Sequence, residues 1–156
     1  MCGDKMGFMQ RSLYIAVTIA AVSLVASCGE STSPFSEAEI SAHRTHWTQR
    51  APAAYEYDYR VTGFFISFVG HDIHLVVSDG VVRSATDVAT GAPMAGQLTQ
   101  WPTIAALFDE VAQAADAGML RSVRFDPVLE YPTEFDLDGP PDASGSVFAT
   151  GLRVLP

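Results

Sequence analysis

Hydrophobic and polar positions along this chain repeat with two different periods, and the switches between them mark out its elements. Behind Ser36, the residues Ile40, His43 or Arg44, and Trp47 recur at helical spacing. Ser36 and Glu39 form a Ser-x-x-Glu capping box at the start of this helix. It is expected to run to about Arg50, where Ala51-Pro52 stops it. A second helix begins behind Thr103, with Ile104, Leu107, Phe108, Val111, Ala112 and Ala115 on one face and Gly118 as its C-terminal glycine.

Between and after the helices the period is two. A long strand is expected over 55–68, with Tyr55, Tyr57, Tyr59 and Val61 alternating with Glu56, Asp58 and Arg60. After Thr62-Gly63 the apolar phase moves to Phe64, Ile66 and Phe68, the slip that a β-bulge at glycine produces. Ile73, Leu75 and Val77 form the next strand, and Asp79-Gly80 turns the chain into a return strand over 81–88, with Val77 opposite Val82. Residues 91–100 read as a loop. Three later strands put on one face, respectively, Arg121, Val123 and Phe125; Tyr131, Thr133, Phe135 and Leu137; and Phe148, Thr150, Leu152 and Val154. Asp126-Pro127 and Gly139-Pro140-Pro141 separate these strands. The order α-β-β-β-α-β-β-β with hairpin-length links predicts an α+β fold of two layers, a mainly antiparallel sheet of about six strands with two helices on one face.

The first residues follow neither period. Lys5 and Arg11 precede an uncharged run of 14 residues over 13–26, which closes on Leu24-Val25-Ala26-Ser27-Cys28. A basic start, an apolar middle and small residues at the end make a secretory signal, and the run falls short of the ~20 apolar residues that span a bilayer. The small-residue stretch ending in Cys28 resembles the lipobox of bacterial lipoproteins, with Val25 where leucine is usual. The resemblance implies a signal peptide over 1–27 and lipidation of Cys28 as the new N-terminus. A tether over 28–36 and a single globular domain over 37–156 follow. Two or three acyl chains on Cys28 satisfy the requirement of more than one lipid for stable anchoring. The protein is then exported and held at the outer face of the cytoplasmic membrane, or at the outer membrane where one exists. An uncleaved signal anchor is the competing reading, and Met6 or Met9 serves equally well as the start.

Composition narrows the partners. Cleavage before Cys28 leaves 129 residues, with seven arginines and no lysine against seventeen acids, a formal charge of −10. Such a surface repels nucleic acid. Cys2 leaves with the signal and Cys28 carries lipid, so no disulfide is available and stability rests on the core.

Several short motifs spread from Trp47 to Asp138 resemble a family of bacterial envelope lipoproteins of unknown function, common in actinobacteria. They are the Tyr57-x-Tyr59 strand, the Asp79-Gly80 hairpin, Thr90-Gly91-Ala92-Pro93, Pro102-Thr103-Ile104 with Leu107-Phe108, and Phe125-Asp126-Pro127 with Tyr131-Pro132. Many relatives carry a Cys-x-Cys pair where this chain has Gly63-Phe64-Phe65, so any disulfide, metal or redox role of that pair is absent here. Glu130 replaces a glycine usual before Tyr-Pro, and Phe125 a common tyrosine. The resemblance implies no particular reaction.

Four groups of residues could carry chemistry. His43 with His46, and His71 with His74, are His-x-x-His pairs that could hold zinc or copper, with acids such as Asp72 as further ligands; surface and packing histidines are the expectation. Asp136 and Asp138 ahead of Gly139 loosely match an Asp-x-Asp-Gly calcium loop but lack its distal glutamate, so an acidic turn is expected. No nucleophile elbow, phosphate loop or dinucleotide fingerprint is present, and Ser78, Ser84 and Ser122 stand outside any such motif. Tyr55, Tyr57, Tyr59 and Trp101 form either an aromatic binding face or core, with Trp101 in its loop the best candidate for exposure. The reading is a non-catalytic, lipid-anchored envelope module without cofactor, which binds the membrane through Cys28 and an envelope protein or small ligand through its domain. The alternative is a metal-binding (Zn, Cu or Ca) envelope protein; an inhibitor or assembly factor is a third, by analogy alone.

Overall fold

A computed structural model describes residues 35–63, 70–94, 96–139 and 144–156. The elements are α1 (Glu37–Arg50), β1 (Ala54–Gly63), β2 (Ile73–Ser78), β3 (Val81–Asp87), α2 (Ile104–Asp116), β4 (Leu120–Phe125), β5 (Pro132–Leu137) and β6 (Gly145–Val154), with a short 3₁₀ turn at Leu98–Gln100. Their order is the expected α-β-β-β-α-β-β-β. The sheet runs β3-β2-β1-β6-β5-β4, and every neighbouring pair is antiparallel. Two three-stranded meanders thus meet along β1 and β6, the pair most distant in sequence.

Local chemistry explains the element ends. Ser36 and Thr103 have extended backbones, and their side chains accept from the Glu39 and Ala106 amides, satisfying N–H groups that the first turn leaves open. Gly118, at φ +66, closes α2. Asp79 and Gly80 both have positive φ, 52° and 72°, as a two-residue hairpin of matching twist requires. Val77 stands opposite Val82 as expected, and Arg83 is the extra residue of a bulge.

One face of the sheet is apolar and lies under the helices. Tyr55, Tyr57, Tyr59 and Val61 of β1, Ile73, Leu75 and Val77 of β2, and Phe135, Val147 and Ala149 meet Ile104, Leu107, Phe108 and Val111 of α2. From α1 only Ile40 and Trp47 are buried; the indole edge of Trp47 meets Tyr55 and Tyr131 at centroid distances of 5.7 and 5.9 Å. Among the described residues no helix is long and apolar enough to cross a membrane.

Two strand readings change, and one lies outside the described residues. Beyond Gly63 the expected second half of the first strand, with Phe64, Ile66 and Phe68, lies outside the described residues; Gly63 itself still pairs with Gly145. In β4 the expected Arg121–Val123–Phe125 face fails at its start, because Arg121 is the extra residue between Leu120 and Ser122. Leu120 takes the core position, and Arg121 turns out to Asp138 at 3.0 Å. In β6, Phe148, Thr150, Leu152 and Val154 do not share one face. Tyr57 stands opposite two residues, Gly151 and Leu152, and Gly151 takes φ +66. This bulge swaps the phase, so Val147 and Ala149 enter the core while Phe148 and Thr150 lie on the other side.

Candidate functional site

The face of the sheet away from the helices is polar, and register decides which side chains meet there. Across the strands, Thr86, His74, Asp58 and Thr150 stand in one row, and Arg60, Phe148, Glu134 and Arg124 in another. A third row holds Thr62, Ser146, Asp136 and Ser122. Opposite charges are placed side by side: His74 Nδ1 donates to Asp58 at 2.8 Å, Arg153 lies 3.0 Å from Glu56, and Arg124 lies 2.9 Å from Glu134. Such exposed pairs contribute at most about 1 kcal/mol each. They orient side chains more than they stabilise the fold.

A cavity of about 210 Å³ opens on this face, lined by Asp58, Arg60, Asp72, Val88, Phe148 and Thr150. The Arg60 guanidinium carbon sits 4.6 Å from the Phe148 ring centre, a cation–π contact. Its Nε is shielded from solvent and makes no hydrogen bond, and Asp72 Oδ1 is 3.6 Å away. None of Arg60, Phe148 and Thr150 stood out in the sequence. The polar phase of β1 would have indicated Arg60; Phe148 and Thr150 were hidden by the bulge at Gly151.

The aromatic residues considered as a binding face belong to the core. Trp101, expected on the surface because it lies in a loop, is only 4% exposed and meets Tyr59 edge-on at 6.4 Å. Tyr55, Tyr57 and Tyr59 are equally buried, and two of them hold the start of α2: Tyr57 donates to the Pro102 carbonyl, and the Ile104 amide donates to the Tyr55 hydroxyl at 3.2 Å. Burial raises the pKa of all three phenols, so they stay neutral at any ordinary pH.

The histidine pairs differ. His43 and His46, one turn apart on α1, both face Glu130, at 3.1 and 3.2 Å and on opposite carboxylate oxygens. The His43 ring also stacks on Phe125 at 3.9 Å. Glu130 has φ +61, the left-handed region that favours glycine. Its turn is held by Asp126, whose carboxylate accepts from the Val128 and Leu129 amides. His71 and His74 instead separate, His71 to Asp87 at 2.7 Å and His74 to Asp58. Asp136 accepts from the Ser122 and Ser146 hydroxyls, which lowers its pKa, while Asp138 pairs with Arg121, so these two acids turn to different partners. Among the described residues no three His, Cys, Asp or Glu side chains frame a metal position. Cys28 lies outside the described residues.

Asp87 closes the loop after β3. Its carboxylate meets His71, then the Thr90 amide and hydroxyl, and these contacts lower its pKa to about 2. An unfolded aspartate titrates near ~4. The depressed value therefore gives a stabilisation that is complete above about pH 4 and lost as pH falls towards 2. The urea midpoint of the protein should drop across that window, and Asp87→Asn should remove this part of the drop. Equal slopes in the two proteins would show that the loop contacts do not favour the carboxylate.

These features define a two-layer α+β domain with a polar, cavity-bearing sheet face opposite its helices. The family of unknown function DUF6174 matches residues 39–150, and the chain belongs to it. No curated protein and no solved structure matches the chain.

Proposed function

We propose that this protein is a lipid-anchored, extracytoplasmic binding module of the cell envelope, non-catalytic, which engages an envelope protein or a small ligand through the open face of its sheet. The order of basic, apolar and small residues ending at Cys28 carries the anchoring. Among the described residues no helix covers the opposite sheet face, and the cavity around Arg60 lies there. Ser122 and Ser146 hydrogen-bond directly to Asp136 without an imidazole between, an arrangement that supports binding rather than acyl transfer.

Anchoring is tested by growing expressing cells with an alkyne fatty acid and partitioning the product between detergent and water. Wild-type protein should carry the label and enter the detergent phase, and Cys28→Ala should lose the label entirely. An unlabelled wild type, or a labelled Cys28→Ala, would overturn the reading.

Metal binding is the second reading: His43 and His46 both lie against Glu130, a residue kept in a conformation that costs a non-glycine residue about 1–2 kcal/mol, although among the described residues no three such side chains frame a metal position. Titration with zinc or copper, compared with Glu130→Gln, decides it.

A further inference from the structure

We propose that the cavity on the open sheet face binds a small zwitterion, namely a free α-amino acid. The inference rests on the reading of this face as the binding face. Arg60 is the centre of the site. Stacking on Phe148 fixes its guanidinium, and its Nε is buried without a hydrogen-bond acceptor. At 3.6 Å, Asp72 Oδ1 is beyond the ~3.2 Å reach of an N–H···O bond. The Arg60 side chain as a whole is 42% exposed and lines the cavity, so its guanidinium presents charge to the opening even though Nε itself is shielded beside Asp72. A planar carboxylate fits a guanidinium edge, because two parallel hydrogen bonds form at once.

A simple anion does not suit the site. Asp58 and Asp72 line the same cavity, and their charges repel a second carboxylate that brings no cation with it. Asp58 Oδ1 is engaged by His74, which orients that carboxylate. A ligand that satisfies the whole lining therefore carries an acceptor for Arg60 and, within a few ångströms, an ammonium group for Asp58 and Asp72. An α-amino acid has both on one carbon. Thr150 stands opposite Asp58 and supplies a hydroxyl, and Val88, 51% exposed, offers an apolar rim to a short side chain. At about 210 Å³ the cavity equals roughly seven waters' share of liquid volume, which suits a ligand of this size.

The test uses the full chain in detergent micelles, with the backbone amides of Phe148, Thr150 and Gly151 followed by NMR. Alanine, of either hand, should shift these amides to saturation. Acetate and methylammonium, each carrying one half of the charge pattern, should bind at least roughly tenfold more weakly. Arg60→Gln and Asp72→Asn should each weaken alanine binding by about tenfold while leaving the thermal midpoint in place. Acetate matching alanine, a neutral sugar binding in its stead, or variants that bind as the wild type does would each overturn the proposal. A photo-crosslinker at Thr150, with one at Gln113 on α2 as control, separates the two levels. A crosslink specific to Thr150 with no amino-acid response overturns the zwitterion and leaves the binding face standing. Silence in both overturns the two together.

Discussion

Phe108→Ala is expected to cost about 3–5 kcal/mol of folding stability, as complete burial of a phenylalanine dictates. Phe108 is 0% exposed and sits at the centre of the apolar stripe of α2 with Ile104, Leu107 and Val111. Its ring lies 6.1 Å from that of Phe125, and Phe125 in turn carries the stacked ring of His43. Removing it opens a void under the middle of the helix, where sheet and helix backbones are both held by other contacts and cannot close in. The loss is a large part of the ~5–15 kcal/mol that stabilises a typical domain. Urea unfolding followed by circular dichroism measures it, with an unchanged slope showing that the denatured state is the same. Met119→Ala, at an exposed position, should stay within about 0.5 kcal/mol. A cost below about 1 kcal/mol at Phe108 would mean that α2 does not dock as described.

Trp47→Ala should cost a similar amount, about 3–5 kcal/mol, but with a different signature. The helix α1 buries only Ile40 and Trp47, so one indole supplies most of what holds it to the sheet. Beside Ile40 and the stacking of His43 on Phe125, the remaining ties are polar and partly exposed: Arg44 to Asp109, and His43 and His46 to Glu130. Such pairs contribute about 0–1 kcal/mol each and do not compensate for a lost aromatic core contact. In the variant, amides of α1 should exchange with solvent well before those of β1 and β6, because the helix opens by itself while the sheet stays paired. Uniform loss of protection across all elements would show instead that α1 and the sheet unfold as one unit. The distinction bears on function, since α1 directly follows the segment expected to tether the domain to its lipid.

Much of this architecture was legible in the sequence, because it depends on neighbours a few residues apart. The capped helices, the Asp79-Gly80 hairpin, the tyrosine alternation of β1 and the order of elements all follow from periodicity and turn chemistry, which act within one element. Trp101 departs from the exposure that its loop position predicts, because its indole meets Tyr59 across the fold. Tertiary pairing also decided the candidate site. The meeting of β1 with β6 aligned Asp58 with Thr150 and Arg60 with Phe148, residues some ninety positions apart whose register no local pattern records. A single bulge at Gly151 then chose which face Phe148 and Thr150 occupy, since a one-residue slip in a strand reverses every side chain before it relative to those after. The sequence by itself determined which segments are helices and strands and, outside the bulged strands β4 and β6, which side of each is apolar. Only the packed structure determined which polar side chains share a face, because that depends on long-range register rather than on local spacing.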